Sequence, residues 1–343
     1  MEDQTIPELA RTYAPFIRRD VYSRGEIPFS EIALLAIAFF TLVPIRLTIG
    51  VWLISVYYMV CRLCTLFWDL DRCYLVGLRR EVVVRVGRFL CRVFMFVLGF
   101  YWINEYYPIL EETKDEKRGY HEELERPGVI VSNHVSYFDI LYHMSDSFPS
   151  FVAKVSVSKL PVVGLISKCL GCIFVQRETR TSELLGVSGL VTQRIEEARL
   201  NRHCPVVMIF PEGTTTNGEY LLPFKTGAFL GGAPVLPIII KYPYQRLSLA
   251  WESISGVPHA ILVLCQWINY LDVIKLPMYY PSEEEKKNPQ IYAINVRKLI
   301  SREGELILSE SGLAEKRDYL AMLRDPREAH CIYPSTLIDN KAE

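Results

Sequence analysis

The sequence lacks an excess of charge of either sign, because its 343 residues include 38 lysines and arginines against 39 aspartates and glutamates. It also lacks a recognisable nucleic-acid-binding motif, so we predict that nucleic acid is not a partner. There is no G-x-S-x-G elbow, no H-E-x-x-H pair, no P-loop and no EF-hand loop in the chain. The sequence therefore lacks the usual signatures of serine hydrolases, zinc proteases, P-loop NTPases and calcium sensors, which argues against these classes of protein.

The cysteines do not form a metal-binding pattern. There are nine of them, an odd number, and two pairs have C-x-x-C spacing, Cys61/Cys64 and Cys169/Cys172. No second Cys or His pair follows either one at the spacing of a zinc site. We therefore predict that the cysteines are small apolar residues in a reducing compartment, and that the protein holds no metal. A zinc or redox protein built on Cys169/Cys172 is the alternative, which elemental analysis would test.

A long apolar run near the start of the chain predicts attachment to a membrane. Residues 1–31 form a polar N-terminal arm, and Ile32–Val60 then contains 29 residues with a single charge, Arg46. A helix of that length measures about 43 Å, against roughly 30 Å for the hydrocarbon core of a bilayer. Either one tilted helix crosses the membrane, or a hairpin that bends near Pro44 enters and leaves on the same side. A buried core helix fits such a run less well.

Arginines alternate with apolar residues after this run, from Arg79 to Arg92, which is typical of a helix in the headgroup layer. The apolar segment Val93–Ile103 is too short to span and is predicted to dip into the leaflet. We assign residues 32–103 to membrane-embedded and interfacial helices. The excess of arginine after the apolar run places the rest of the chain on the cytosolic side. A charged linker over residues 104–127 follows.

From Gly128 onward, short apolar runs alternate with helical stretches. This pattern predicts an α/β domain with a mixed, largely buried sheet flanked by helices over residues 128–281. We expect late strands at "AILVLCQW" (260–267) and "YLDVIKL" (270–276). A helical extension over residues 282–343 ends the chain.

The stretch "SNHVSYFD", residues 132–139, contains the most informative polar pair. A strand that ends at Ser132 brings His134 to the carboxyl edge of the sheet, where the sites of α/β proteins lie. Asp139 then lies in the first turn of the next helix and can bind one imidazole nitrogen, so that the other faces substrate. This is a general base with an orienting carboxylate and no enzyme nucleophile. A polar helix start with Ser132 or Asn133 as its cap is the other interpretation.

A second polar segment, "FPEGTTTNG" (210–218), follows a buried strand. A corner with Glu212, Gly213 and Thr214 offers backbone N–H groups and hydroxyls to a phosphate or an oxyanion, although a polar loop is an equally good interpretation. Three cations at the ends of elements are weaker candidates for binding a phosphate: Arg177, Lys154 and Lys225.

Four ordered segments, "NHVSYFD", "GCIFVQR", "FPEGTTTNG" with "PFKTGAF", and "APVLPI", resemble the glycerolipid acyltransferase family over residues 128–240. Tyr137-Phe138 and "TTTNG" are similar to the lysophosphatidylethanolamine and lysophosphatidylcholine acyltransferases within it. The resemblance implies that His134 deprotonates a lysophospholipid hydroxyl, which attacks the thioester of acyl-CoA, and that Asp139 orients His134.

The resemblance further implies that Arg177, Glu212 and Gly213 bind the glycerol phosphate of the acceptor, and that the segment around Pro234 shapes the acyl or acceptor site. No acyl-enzyme and no cofactor are needed, since acyl-CoA is a substrate. The expected location is the endoplasmic reticulum membrane, with the catalytic domain on its cytosolic face. Two alternatives stay open: a glycerol-3-phosphate or lysophosphatidate acyltransferase, and an inactive membrane scaffold. The sequence predicts neither an oligomeric state nor the preferred headgroup.

Overall fold

The fold is taken from a computed structural model, which describes residues 10–21, 27–70, 75–109, 126–175 and 181–324. Its helices are α1 (Phe29–Cys64), α2 (Gly77–Val97), α3 (Phe138–Asp146), α4 (Val155–Ser158), α5 (Val163–Cys169), α6 (Thr181–Leu200), α7 (Gly256–Leu264), α8 (Glu283–Lys287), α9 (Pro289–Gly304) and α10 (Leu313–Met322). Its strands are β1 (Asn104–Tyr106), β2 (Val129–Ser132), β3 (Ser150–Lys154), β4 (Ile173–Val175), β5 (Val207–Ile209), β6 (Tyr220–Leu221), β7 (Val235–Lys241), β8 (Asp272–Lys275) and β9 (Ile307–Leu308).

Seven strands form one sheet in the order β1-β8-β7-β2-β5-β3-β4, and β6 pairs with β9 in a separate two-stranded sheet. Strand β8 runs antiparallel to β7, whereas the other pairs in the large sheet are parallel. The predicted mixed α/β architecture is therefore confirmed. Strand β2 lies in the middle of the sheet, so its carboxyl end delivers residue 133 and those after it to a central position.

Helices cover both faces of the sheet, as the alternation along β2 requires. Val129 and Val131 belong to a core cluster with residues of α6 and α9. Ile130 faces the other way, into a cluster with residues of α2, α3 and α7. All of β2 is buried, which is the pattern of a strand covered on both sides.

Helix α1 is continuous through Pro44 and, among the described residues, is the one helix long and apolar enough to cross a membrane. Of the two alternatives left open by the sequence, the structure therefore has the single long helix and not the hairpin. One side of α1 packs against the rest of the protein from Glu31, which pairs with Arg246, to Cys61, which packs beside α5. Its other side exposes large apolar side chains along its length, among them Phe40 and Trp52.

Arg46, the single charge in the apolar run, points into the protein and not towards lipid. It is 5% exposed. Its guanidinium donates to the carbonyl oxygens of Leu264 at 2.9 Å, Gln266, and Trp267 at 3.4 Å. These carbonyls lie at the C-terminus of α7, where backbone acceptors have no partner within the helix and a cation is favoured. The charge therefore fastens α1 to the α/β domain.

One sequence-based expectation about an apolar segment is wrong. "AILVLCQW" forms most of helix α7 and not a strand, because a short apolar run fits a buried helix and a buried strand equally well. The segment Val93–Ile103 is partly exposed, at Phe96 and Trp102, and its dip into a leaflet stays a prediction. Met95 and Phe100 are fully buried against the sheet, where each contributes about 1.5–3 kcal/mol of hydrophobic stabilisation.

Parts of the predicted arm and linker are also integrated into the fold. Residues 10–21 do not form an exposed arm, because Tyr13 and Phe16 are buried with Leu222 and Tyr319. The first three residues of the expected linker form edge strand β1, parallel to β8; residues 110–125 lie outside the described part of the chain. The positions of the domain boundaries themselves stay predictions.

Candidate active site

The local geometry around His134 follows from a strand that ends and a helix that begins six residues later. Strand β2 ends at Ser132 and α3 begins at Phe138, so His134 precedes the helix and Asp139 lies in its first turn, as expected. His134 Nδ1 and Asp139 Oδ2 are 2.8 Å apart. Because an ionised carboxylate only accepts, Nδ1 carries the proton and Nε2 keeps a free lone pair. The His134 side chain is 20% exposed and that of Asp139 is completely buried.

Every described contact of the Asp139 carboxylate is with a donor. Its Oδ2 also accepts from the backbone N–H groups of Val135 at 2.8 Å and Ser136 at 3.0 Å. Its Oδ1 accepts from the hydroxyl of Tyr242 at 2.7 Å. Burial beside this carboxylate raises the pKa of Tyr242, so the hydroxyl remains a donor at physiological pH. These bonds hold the carboxylate in one orientation and offset the cost of burying it.

The imidazole plane is fixed from one side by an aromatic ring. Phe210, the residue after β5, stacks on His134 with ring centroids 4.1 Å apart and planes at 15°. His143 of α3 touches the same phenyl ring edge-on at 5.9 Å. Burial lowers the pKa of His143 to about 3, so this residue is neutral and belongs to the packing, as its position in α3 predicts. The stacked ring leaves His134 little freedom to rotate.

Glu212 holds the backbone at the His134–Asp139 pair through two hydrogen bonds. Its Oε1 accepts from His134 N–H at 2.8 Å and its Oε2 from Leu222 N–H at 2.9 Å. The residue is 3% exposed, and this burial raises the pKa of its carboxyl to about 8, although the two backbone donors oppose the shift. The structure thus gives both oxygens protein partners. The expected contact of Glu212 with the glycerol phosphate of the acceptor stays a prediction.

Four of the other candidate substrate-binding residues, Gly213, Thr214, Lys154 and Lys225, lie in the described part of the chain. Gly213 has φ +74°, a conformation that favours glycine, and a Cβ there would lie 2.5 Å from Lys225 Nζ. Thr214 is half-buried beside it, and Lys154 is exposed at the end of β3. Arg177 lies outside the described residues, two positions after β4. Their roles in binding stay predictions.

Two backbone contacts brace the turn that carries His134, and sequence reasoning did not find them. Thr216 N–H donates to the carbonyl of His134 at 3.0 Å, and Trp251 N–H donates to that of Val135 at 2.9 Å. Tyr242, the partner of Asp139, was missed as well. It directly follows β7, the neighbour of β2, so its place at the same sheet edge is the signal that could have found it.

Among the described residues, no group of three or more His, Cys, Asp or Glu side chains is arranged to hold a metal ion. The first cysteines of the two C-x-x-C pairs do meet, because Cys61 and Cys169 are buried and hydrogen-bonded between α1 and α5. They lie in an apolar cluster with Tyr57 and Phe148. This position fits the role of small apolar residues.

The arrangement suits the removal of a proton from a hydroxyl that then attacks an activated carbonyl. His134 has an oriented imidazole with its second nitrogen available, and Asp139 can stabilise the imidazolium that forms. Neither a Ser nor a Cys side chain is placed by any described contact against the His134 ring as a nucleophile would be. The geometry therefore favours direct transfer between two substrates over a covalent enzyme intermediate.

Comparisons with known proteins point to the same chemistry. A family model described as "Acyltransferase" matches residues 110–241. The lysophospholipid acyltransferase LPEAT1 of Arabidopsis thaliana is 52% identical over 350 residues, covering 93% of this chain and 88% of that protein. Lysophosphatidylcholine acyltransferase 1 of Homo sapiens is 36% identical over 173 residues, covering 50% of this chain but 32% of its own length.

A solved structure is also similar. The 1-acyl-sn-glycerophosphate acyltransferase PlsC of Thermotoga maritima aligns with a TM-score of 0.48 at 18% identity, covering 80% of this chain and 94% of that one.

Proposed function

Since this chain belongs to the lysophospholipid acyltransferase family, we propose that it transfers a fatty acyl group from acyl-CoA to the free hydroxyl of a lysophospholipid. The acceptor is lysophosphatidylethanolamine or lysophosphatidylcholine. The observation that carries the proposal is the His134–Asp139 pair at 2.8 Å in a chain 52% identical to a lysophospholipid acyltransferase along nearly its whole length.

The reaction needs one base and no covalent intermediate. His134 Nε2 takes the proton of the acceptor hydroxyl as its oxygen attacks the thioester carbonyl of acyl-CoA. The tetrahedral intermediate collapses when the carbon–sulfur bond breaks, and the leaving CoA thiolate takes the proton back from the imidazolium. Asp139 stabilises that imidazolium and holds the ring in the tautomer that exposes Nε2.

We propose that the phosphate of the acceptor is bound by three cationic side chains, Lys225, Lys154 and Arg177. Lys225 has its amine beside Gly213, the residue that follows Glu212. Lys154 is the last residue of β3, and Arg177, outside the described residues, is assigned to the phosphate from the sequence alone. The phosphodiester of these acceptors carries a single negative charge near neutral pH, so these side chains would neutralise it, while Gly213 and Thr214 offer a backbone N–H and a hydroxyl. No cofactor or metal takes part in this proposal.

The experiment that tests the function is acyl transfer from labelled acyl-CoA to a panel of acceptors. We expect lysophosphatidylethanolamine or lysophosphatidylcholine to be acylated with a kcat/KM at least about 10-fold higher than lysophosphatidate or glycerol-3-phosphate, which corresponds to roughly 1.4 kcal/mol. A preference for lysophosphatidate or glycerol-3-phosphate would instead support the phosphatidic-acid branch. No transfer to any acceptor, from protein whose fold is verified, would support an inactive scaffold.

Membrane attachment belongs to the same proposal, with the endoplasmic reticulum as the compartment and the catalytic domain on the cytosolic face. Because α1 is held against the rest of the protein from Glu31 to Cys61, we propose that its apolar side lies along one leaflet. This explains how one helix can both contact lipid and pack beside the domain along its length. The substrates have acyl chains, so the site lies close to their source.

This orientation predicts which side chains hold the protein on a bilayer. Replacing Phe40 and Trp52, which are 78% and 62% exposed, with lysine should release a large part of the protein from liposomes in a flotation assay. Ile294→Lys is the matched control, since this side chain is 47% exposed on α9, which covers the opposite face of the sheet. Equal flotation of the α1 variant and the control would contradict the proposed orientation.

A further inference from the structure

Lys316 is a buried cation in the C-terminal extension, far in sequence from the family-matched segment. It lies on α10 and is 7% exposed. Its amine donates to the carbonyl oxygen and to the hydroxyl of Thr215, both at 2.8 Å, and to the carbonyl oxygen of Trp251 at 3.3 Å. An ammonium has three donors, so these three acceptors use its full capacity.

The two segments that Lys316 joins are the ones that brace the His134 turn. Thr215 precedes Thr216, whose N–H donates to the His134 carbonyl at 3.0 Å. Trp251 donates its own N–H to the Val135 carbonyl at 2.9 Å. The Thr215 hydroxyl also donates directly to the Trp251 carbonyl oxygen. The Lys316 ammonium adds bonds to both residues, and so strengthens the link between two backbone supports that reach consecutive residues of the turn from different loops. No described contact joins Lys316 to His134 itself.

The surroundings of Lys316 are dry and partly anionic. Its ammonium lies 5.8 Å from the ring centroid of Phe16, in the N-terminal segment that packs against α10. Burial lowers the pKa of Lys316 to about 8, while Glu252 and Glu212 favour the charged form. Glu252 is itself paired with the buried Arg18 at 3.0 Å. A cation in such a site is costly unless it is well bonded, and apolar side chains would fill the space more cheaply.

We propose that Lys316 is a positioning residue for the acyl transfer: by joining Thr215 to Trp251 it fixes the turn that aims the His134 imidazole at the acceptor hydroxyl. This inference rests on the proposed function, because it assigns a role in that reaction. It also gives the C-terminal extension a part in catalysis. The extension supplies the Lys316 ammonium, and the N-terminal segment supplies the Phe16 ring that lies beside it.

The test is the steady-state kinetics of Lys316→Met, which keeps the unbranched side chain and removes all three donors. We expect kcat to fall about 10-fold or more, the scale of losing a charged hydrogen-bond donor, with the KM values of acyl-CoA and lysophospholipid within about twofold of wild type. Arg317→Met is the matched control, because this neighbouring cation on α10 is exposed, and it should leave both constants unchanged. A wild-type kcat for Lys316→Met, or a raised acceptor KM with normal kcat, would overturn the proposal.

Two further variants separate positioning from a purely structural role. Lys316→Arg retains a cationic donor and should recover most of the lost turnover, whereas a site that only needs its volume filled would favour methionine. Thr215→Val removes one acceptor of Lys316 and the hydroxyl that Thr215 donates to the Trp251 carbonyl. It should lower kcat about threefold to tenfold even if Lys316→Met does not fold. Its effect should not add to that of Lys316→Met, since both break the same support. Full additivity, or an unaffected Thr215→Val enzyme, would refute the connection.

The His134→Ala enzyme, assayed in parallel, tells the two proposals apart. If it keeps wild-type turnover, the general-base mechanism fails and the role of Lys316 fails with it. If it loses turnover while Lys316→Met is unaffected, only the inference about Lys316 is wrong.

Discussion

Replacing His134 with alanine is expected to lower the kcat of acyl transfer at least about 100-fold, the usual contribution of a positioned general base. The side chain is 20% exposed and lies outside the regular elements, so its removal leaves no large cavity in the core. The KM values should change little, because the imidazole acts on a proton in transit and not on the bound ground state. Turnover measured with saturating acyl-CoA and lysophospholipid checks this result.

His203→Ala provides the control, since this histidine is exposed beyond the end of α6. It should match wild type in both turnover and thermal melting. If His134→Ala retained more than about a tenth of the wild-type kcat, another base would have to be sought among the remaining polar groups at this edge.

The parts of the site that were predictable from sequence are local. A buried strand, a five-residue turn and a helix within a dozen positions determine where His134 and Asp139 lie, and their spacing leaves one sensible geometry. The same holds for the mixed α/β sheet, whose strands are marked by short apolar runs. Local patterns suffice here because hydrophobic period and chain stiffness decide the outcome.

What escaped prediction depends on contacts between distant segments. Trp251 and Lys316 have no local motif, and their importance appears only when their partners in the His134 turn and the Thr215 loop are known. The mostly apolar segment 260–267 predicts a strand as readily as a helix, and packing against α1 favours the helix. The charge of Arg46 belongs to the same group. In sequence it interrupts a membrane segment, whereas in the structure it binds the end of α7.

Asp139→Asn should give an effect of similar size, roughly 100- to 10,000-fold in kcat, although the substitution changes a single atom of the side chain. The carboxylate faces donors on both oxygens: His134 Nδ1, two backbone N–H groups and the hydroxyl of Tyr242. An amide offers one oxygen and one NH2 group, so at least one of these donors meets another donor. Where the NH2 group faces His134, it favours the tautomer with the proton on Nε2, which cannot act as a base.

Two companion variants locate the origin of that loss. Tyr242→Phe removes the donor to Oδ1 but leaves the carboxylate bonded to His134, so kcat should fall only about 10-fold or less, the scale of one hydrogen bond to a charged group. Asp318→Asn, on the exposed side of α10, should have no effect. The kcat of Asp139→Asn should therefore be far lower than that of Tyr242→Phe, because the carboxylate acts through the imidazole. If the two variants were equally impaired, the carboxylate would serve mainly to hold β7 against the turn, and the orienting role of Asp139 would be wrong.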